Sequence, residues 1–285
     1  MRPKIYLFGD SITEESFANG GWGSLLANHF SRTVDVVLRG YSGYNTRWAL
    51  KVIQSVFSAE KDGGGQGAPV AVTVFFGAND ACIPDRCSAL QHVPVHEYKQ
   101  NLHSIMSYLK VSLPSTLLCI SINHTTQLTI GLIYIFLVLY LLLSCVVLFY
   151  FRCAQNKWPT TLILLITPPP IDEEARLSYP YVENPMGLPE RTNEAAGAYA
   201  KACVEIATEC GIPVIDLWTK MQQFPDWQKT HLRDGLHLAQ TGNRIVFEEV
   251  VAKLKKEGLS LEKLPVDLPL ISEIDPNDPL KAFQK

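Results

Sequence analysis

Residues 4–13 read KIYLFGDSIT, and this stretch indicates the architecture of the chain. Its first half, residues 4–8, is a short and largely apolar run that ends at a Gly-Asp-Ser turn. Similar runs recur at 35–38, 70–76, 161–167 and 213–217. Short runs that are apolar nearly throughout are typical of strands covered on both faces, as in a parallel sheet. The sequence therefore predicts five parallel strands.

Amphipathic segments alternate with these strands. They predict helices at 23–30, 46–57, 95–110, 189–210 and 240–257. Gly258 follows the last of them and is a typical helix stop signal. Such alternation predicts a doubly wound α/β fold, in which ligands bind at the carboxyl ends of the strands. Functional residues are therefore expected in the turns that follow the strands.

The overall composition argues against several classes of protein. The chain has 285 residues, a formal net charge of −3 and no basic patch, so nothing indicates a nucleic-acid partner. The apolar run near the start is too short for the core of a secretory signal. We therefore expect a cytoplasmic protein.

Two cysteines and two histidines lie close together in residues 82–96: Cys82, Cys87, His92 and His96. One interpretation is a zinc site, and the other is a loop with free thiols and surface imidazoles. Compact zinc sites usually have tighter spacing than this. The second interpretation is therefore favoured, and no metal is predicted.

Four short motifs fall where the predicted fold places its site. FGDSIT (8–13), RGYSGYN (39–45) and FFGAND (75–80) each follow a strand, and DGLHL (234–238) precedes the last helix. A serine hydrolase needs a nucleophile, an imidazole base, a carboxylate that orients the base, and donors for the oxyanion. All of these groups occur in the four motifs.

Each candidate residue has a simpler structural interpretation when it is taken alone. A serine after a strand, such as Ser11, more often caps a helix. His237 alone would be a structural histidine, and Asn79 would belong to a turn. Their conjunction favours catalysis, because Asp234 lies three residues before His237 and can share one loop face with it. Gly43 and Asn79 can supply a backbone N–H and a side-chain amide.

The blocks GDSIT, GYSGYNTRW, GAND and DGLHL resemble those of the GDSL family of SGNH hydrolases. The segments SGYNTRWA and LITPPPIDEEA are similar to its isoamyl acetate-hydrolysing esterase branch. The resemblance covers residues 4–110 and 156–257. It implies a three-layer α/β/α, flavodoxin-like fold with a five-stranded parallel sheet. We expect one hydrolase domain over 1–258 and an extended tail over 259–285.

The resemblance also implies a role for each site residue. Ser11 is expected to be the nucleophile, His237 its general base, and Asp234 the group that holds the imidazole in its tautomer. The backbone N–H groups of Ser11 and Gly43, with the side-chain amide of Asn79, are expected to form the oxyanion hole.

Two further residues in these motifs, Gly40 and Asp10, have alternative assignments. Gly40 competes with Gly43 for the second block, but Ser-Gly before a polar turn fits the family pattern better. Asp10 could be interpreted as a catalytic acid, but the resemblance implies a structural residue that braces the nucleophile turn.

The expected reaction is hydrolysis of carboxylic esters through an acyl-serine intermediate, without metal or cofactor. The expected partner is a small-molecule ester, and the resemblance favours short-chain esters such as acetates. Thioesters, lysophospholipids and acetylated sugars are alternatives.

Residues 129–151, TIGLIYIFLVLYLLLSCVVLFYF, carry no formal charge and are long enough to cross a bilayer. They lie within 111–155, which interrupts a helix-to-strand connection of the predicted fold. Val-Ser at its start and Gln at its end can be encoded by splice-site sequences, and its apolar residues have T-rich codons. We therefore interpret 111–155 as an insert, either a translated retained intron or a gene-model artefact.

A transmembrane span and a folded site exclude each other in this chain. Ser11 precedes the apolar run, whereas Asp234 and His237 follow it. A single crossing would separate the nucleophile from its base and would leave two unpaired sheet edges. The alternative interpretation is a non-catalytic, membrane-associated protein in which the insert has disabled the site. We expect instead an appended helix that adheres to membranes through 128–151 without spanning them.

Removal of residues 111–155 is expected to give a monodisperse and active esterase, because the remaining helix-to-strand connection has an ordinary length. The full chain is expected to aggregate or adhere to membranes, since it exposes a large apolar surface. Both forms are compared by fractionation, carbonate extraction and hydrolysis of p-nitrophenyl acetate. An active full chain that resists carbonate and has its ends on opposite sides of the membrane would contradict this expectation.

Overall fold

The sheet contains five parallel strands: β1 (Lys4–Gly9), β2 (Asp35–Gly40), β3 (Ala71–Phe75), β4 (Leu162–Ile166) and β5 (Val214–Ile215). Their order is β2-β1-β3-β4-β5, so the predicted parallel sheet is confirmed. The computed structural model describes residues 2–57, 68–110, 161–180 and 183–284. Because β1 pairs with β2 on one side and β3 on the other, the direction of winding reverses at β1. Ligands in such folds bind at this reversal.

Helices connect the strands in the described ranges. They are α1 (Ser11–Glu14), α2 (Trp22–His29), α3 (Thr46–Val56), α4 (Val95–Lys110), α5 (Glu173–Ser178), α6 (Asn193–Glu209), α7 (Leu217–Met221), α8 (Trp227–His231) and α9 (Gln240–Lys256). The five longer helices were predicted to within a few residues at each end, whereas the short helices α1, α5, α7 and α8 were not. A helix of one or two turns carries too little periodicity to be predicted from the pattern of apolar residues.

Capping side chains explain the largest errors in the predicted boundaries. Helix α6 was predicted from residue 189, but it begins at Asn193 because the Thr192 hydroxyl accepts a hydrogen bond from the N–H of Ala195 at 3.1 Å. Strand β5 was predicted to reach residue 217. It ends at Ile215 because the Asp216 carboxylate accepts from the N–H of Thr219 at 3.0 Å and starts α7.

Helices cover both faces of the sheet, as successive side chains of β1 show. Ile5 and Leu7 belong to a buried cluster that includes side chains of α2 and α9. Tyr6 and Phe8 point to the other face and contact the ring of Phe57, just after α3, at centroid distances of 5.6 and 5.2 Å. The three-layer arrangement expected from the sequence is therefore present.

The C-terminal tail begins where α9 ends. Gly258 has a φ of +91°, which is the conformation that glycine favours just past a helix end, and the predicted stop is confirmed. The tail contains one-turn 3₁₀ helices at Leu261–Lys263, Ile271–Glu273 and Lys281–Phe283. Asp267 pairs with Arg2 at 2.7 Å, and Arg32 donates to the carbonyl of Leu268 at 2.8 Å. The boundary of the hydrolase domain at 258 stays a prediction.

The predicted insert 111–155 and its apolar run 128–151 lie outside the described residues. None of the helices in the described part of the chain combines the length and hydropathy that a membrane crossing requires. Strand β3 precedes the insert and β4 follows it, yet they pair in parallel from Ala71 with Leu162 to Phe75 with Ile166. The segments on the two sides of 111–160 therefore contribute neighbouring strands to one sheet.

Candidate active site

Ser11 is the first residue of α1, directly after the turn that ends β1. Asp10 caps this helix, because its Oδ1 accepts a hydrogen bond from the N–H of Ile12 at 3.0 Å. A Cβ on Gly9 would lie 2.0 Å from Thr13 Oγ1 and 2.6 Å from the carbonyl of Phe75. The Gly-Asp-Ser sequence thus combines a close approach, a helix cap and a hydroxyl at the carboxyl end of β1.

His237 joins Ser11 to Asp234 through two hydrogen-bond contacts. His237 Nε2 lies 2.9 Å from Ser11 Oγ, and its Nδ1 lies 2.7 Å from Asp234 Oδ2. Asp234 Oδ1 accepts from the backbone N–H groups of Leu236 and His237 at 3.1 and 2.8 Å. The structure therefore brings together the three residues predicted as a triad, although 226 positions separate Ser11 from His237.

Gly235 allows the loop to turn between the carboxylate and the imidazole. It has a φ of +84°, and a Cβ there would lie 2.5 Å from the carbonyl of Asp172. Any other residue would meet both the backbone strain and this contact. The loop geometry therefore requires a glycine between Asp234 and His237, in addition to the carboxylate and imidazole that the chemistry requires.

The charge on Asp234 is set by opposing effects. Burial raises the pKa of Asp234, but the hydrogen bond from His237 and the two backbone N–H donors bring this pKa well below its ordinary value. Asp234 is therefore a carboxylate at neutral pH. An ionised carboxylate 2.7 Å from Nδ1 keeps a proton on that nitrogen and leaves Nε2 free to accept one.

Gly43 and Asn79, the other predicted oxyanion donors, lie beside Ser11 and His237 in one cavity of about 300 Å³. Gly43 has a φ of +79° in the loop between β2 and α3. Among the described residues, neither the Gly43 N–H nor the Ser11 N–H has a hydrogen-bond acceptor. Asn79 Nδ2 donates to the carbonyl of Tyr44 at 2.8 Å, which occupies one of its two N–H groups.

Gly40, the alternative to Gly43, has a packing role. It is the last residue of β2, and a Cβ there would lie 2.0 Å from the backbone nitrogen of Glu14. The absence of a side chain lets β2 approach α1 closely. Gly43 lines the cavity, whereas Gly40 is not among its lining residues.

Several polar residues in or next to the cavity wall were not predicted from the sequence. They are Gln91, Arg176, Glu190 and Arg191, and they connect Asn79, Gly43 and Asp234 through hydrogen bonds. The available signal was the adjacent pair Glu190–Arg191 just before α6. Adjacent charges usually face solvent, so nothing in the pattern indicated that these side chains are buried.

Asp80, the second residue of the Asn79-Asp80 pair, has a structural role. It is buried and accepts from the backbone N–H of Thr46 at 3.0 Å, and the Thr46 hydroxyl also donates to it. Asn79 therefore faces the cavity, whereas Asp80 holds the beginning of α3. Burial raises the pKa of Asp80 to about 7.

Two of the four candidate zinc ligands in residues 82–96, Cys82 and His92, contact other protein groups. Cys82 is buried with its Sγ 3.5 Å from Gln91 Oε1, and His92 Nδ1 lies 2.6 Å from the carbonyl of Cys82. Burial raises the pKa of the Cys82 thiol to about 11, so it is protonated at neutral pH. Within the described ranges, no three His, Cys, Asp or Glu side chains are grouped as metal ligands.

Replacing Asp10 by Asn is expected to reduce the loss of stability at high pH. Burial raises the pKa of Asp10 from 3.8 to about 7, and its Oδ2 has no partner among the described residues. The folded state thus binds this proton more tightly than the unfolded chain. The resulting stabilisation is present below pH ~4 and is lost as the pH rises through about 7. Asn keeps the cap and carries no charge.

The measurement is urea unfolding of both proteins at pH 5 and pH 8. The fall in unfolding free energy between these pH values should be smaller in Asp10→Asn by roughly 1–4 kcal/mol. Asp85→Asn, at a side chain that is 71% exposed, is the control and should behave as the wild type. An unchanged pH dependence in Asp10→Asn would show that Asp10 has no raised pKa.

Comparisons with known proteins identify the family of this chain. The GDSL-like Lipase/Acylhydrolase family matches residues 5–250. A GDSL esterase/lipase of Arabidopsis thaliana is 58% identical over 100% of this chain and 99% of its own length. The isoamyl acetate-hydrolyzing esterase 1 homolog of Rattus norvegicus is 36% identical over 96% of this chain and 90% of its own length.

The fold also has counterparts among solved structures. The lipase/acylhydrolase from Enterococcus faecalis superposes with a TM-score of 0.59 and 22% identity over 94% of this chain and 100% of that chain. At this identity the likeness shows the fold, which is that of the SGNH hydrolases. The family match and the two relatives show that the chain belongs to the GDSL-like lipase/acylhydrolase family and is a carboxylic ester hydrolase.

Proposed function

We propose that the protein hydrolyses carboxylic esters through an acyl-Ser11 intermediate, with His237 as general base and Asp234 as its orienting carboxylate. The observation that carries the proposal is the unbroken contact from Ser11 Oγ through His237 to Asp234, at 2.9 and 2.7 Å. A nucleophile, its base and an orienting group within hydrogen-bond reach form the arrangement that activates a serine.

The first half-reaction forms the acyl-enzyme. Ser11 Oγ attacks the carbonyl carbon of the ester while His237 Nε2 takes the hydroxyl proton. The tetrahedral intermediate then collapses, the bond to the alcohol oxygen breaks, and His237 gives its proton to the leaving alcohol. The ionised Asp234 stabilises the imidazolium that forms between these two proton transfers.

The second half-reaction releases the acid. Water attacks the acyl carbon, and His237 Nε2 takes a proton from it. The bond between the acyl carbon and Ser11 Oγ breaks, Ser11 regains its proton from His237, and the carboxylic acid leaves. No co-reactant other than the ester and water is required.

Three donors would stabilise the oxyanion in both halves. They are the backbone N–H groups of Ser11 and Gly43 and the second N–H of the Asn79 amide, all of which border the same cavity. Donors that are fixed before the reaction stabilise the developing charge without reorganising.

The substrate class that we propose is short-chain carboxylic esters, acetates among them. The cavity of about 300 Å³ is at the small end of ligand sites, and charged and polar side chains form much of its wall. The relative from rat is named for isoamyl acetate hydrolysis, which is consistent with this choice. Thioesters, lysophospholipids and acetylated sugars are the alternatives that a substrate panel would separate.

Ser11→Ala is expected to lower kcat by about 10⁴-fold or more, because the nucleophile is lost while the oxyanion donors remain. The assay is p-nitrophenyl acetate hydrolysis with the full chain and with the chain lacking 111–155. The exposed Ser178→Ala is a matched control and should keep wild-type turnover. Near-normal turnover in Ser11→Ala would exclude Ser11 as the nucleophile.

Asn79→Ala is expected to lower kcat on the order of 10²–10³-fold with little change in KM, because the amide acts on the transition state. Steady-state kinetics on the same ester separate the two constants. A rise in KM at constant kcat would instead make Asn79 a substrate-binding residue.

A further inference from the structure

Three charged side chains form a buried network next to the candidate site. Glu190 Oε1 accepts from Arg176 Nη2 at 2.6 Å and from Arg191 Nη1 at 2.8 Å. The side chains of Arg176, Glu190 and Arg191 are 3%, 0% and 3% exposed. Burying charges is costly even when they are paired, and the proposed triad chemistry uses none of them. Their burial therefore calls for a role.

One end of the network contacts the loop that carries the proposed triad carboxylate. Arg176 Nη1 donates to the backbone carbonyl of Asp234 at 3.1 Å and lies 3.5 Å from Asp234 Oδ2. Arg176 thus fixes the position of the Asp234 backbone.

The other end contacts two side-chain amides. Arg191 Nη2 lies 2.9 Å from Asn79 Oδ1 and 2.8 Å from Gln91 Oε1. A guanidinium group only donates hydrogen bonds, so both amides must present their oxygens to it. Arg191 Nε is also fixed, since it donates to the carbonyl of Ala78 at 3.0 Å.

This constraint determines where the amide nitrogens point. Asn79 Nδ2 donates to the carbonyl of Tyr44 at 2.8 Å, and Gln91 Nε2 donates to the carbonyl of Gly43 at 3.0 Å. Two consecutive carbonyls of the 42–45 loop are thereby held by side-chain amides. Among the described residues, the second N–H of Asn79 has no acceptor, and it is the group that the proposed oxyanion hole requires.

We propose that Arg191, held by Glu190 and Arg176, is the positioning residue of the oxyanion hole. It sets the orientation of the Asn79 amide directly and that of the Gly43 peptide through Gln91. The same network ties these donors to the Asp234 loop, so that donors and triad keep one relative geometry. This inference rests on the proposed function, because it assigns the donors to an oxyanion.

The test is a double-mutant cycle between Arg191→Lys and Asn79→Ala in the chain lacking 111–155 and in the full chain. Lys keeps a positive charge beside Glu190 but cannot bond Glu190, Asn79 and Gln91 together. Arg191→Lys should lower kcat by about 10²-fold with KM within roughly threefold, as expected for a misplaced transition-state donor. Because Arg191 acts through Asn79, the double variant should lose at least about tenfold less than the product of the single losses.

Gln91→Met tests the second branch without disturbing an ion pair. It removes the donor to the Gly43 carbonyl and should lower kcat by roughly tenfold at an unchanged KM. This variant also keeps the proposal testable if Arg191→Lys does not fold, as judged by circular dichroism and Tm. Arg47→Met is the matched control, because Arg47 makes a separate ion pair with Glu97 at 2.6 Å, and its kcat should equal that of the wild type.

The experiments distinguish failure of the positioning role from failure of the proposed function. Strictly multiplicative losses in the cycle, changes confined to KM, or a near-wild-type kcat in Gln91→Met would overturn the positioning role while leaving the triad intact. Activity that persists in Ser11→Ala would overturn the proposed function itself, and the positioning role would fall with it. The proposal is supported if the kcat loss of the double variant is smaller than the product of the Arg191→Lys and Asn79→Ala losses while Arg47→Met keeps the wild-type kcat.

Discussion

The site depends on the close approach of the β1–α1 turn to its two neighbouring strands. Gly9 has no space for a Cβ against the Phe75 carbonyl of β3, and Gly40 has none against the backbone of Glu14 in α1. A tight turn at the centre of the sheet places Ser11 between the loops that follow β2 and β3. Those loops carry Gly43 and Asn79. The placement of these loops around Ser11 therefore depends on two glycine contacts.

Hydrogen bonds among polar side chains then fix the orientation of the groups that the backbone places beside Ser11. Around this site the acceptors and donors are largely unambiguous: guanidinium groups donate, carboxylates and carbonyls accept, and the amides between them have one orientation that satisfies both. Such networks hold their members in one arrangement through shared hydrogen bonds, although one oxygen here, Glu190 Oε2, has no partner among the described residues. Here the Arg176–Glu190–Arg191 network performs this task between α5, which carries Arg176, and the segment just before α6, which carries Glu190 and Arg191.

The sequence was informative wherever local chemistry decides the structure. Apolar runs located each strand, and α4 was predicted with both of its ends correct. The proximity of Ser11, Asp234 and His237 could be predicted because the three residues lie in compact motifs at element ends. The extent of β5 could not, because a single Asp216 cap outweighs the apolar character of Leu217. Buried charges such as Glu190 were also missed, because burial depends on tertiary contacts.

The parallel pairing of β3 with β4 has a consequence for how the chain reaches its fold. Residues 111–161 separate α4 from β4. The entropic cost of closing a loop grows only with the logarithm of its length, by about 0.6 kcal/mol for each doubling. A long connection therefore weakens this pairing little at equilibrium. Kinetically the situation differs, since β3 presents an open edge until β4 has been synthesised and docked. A long segment between β3 and β4 is therefore expected to slow folding more than it lowers the stability of the sheet.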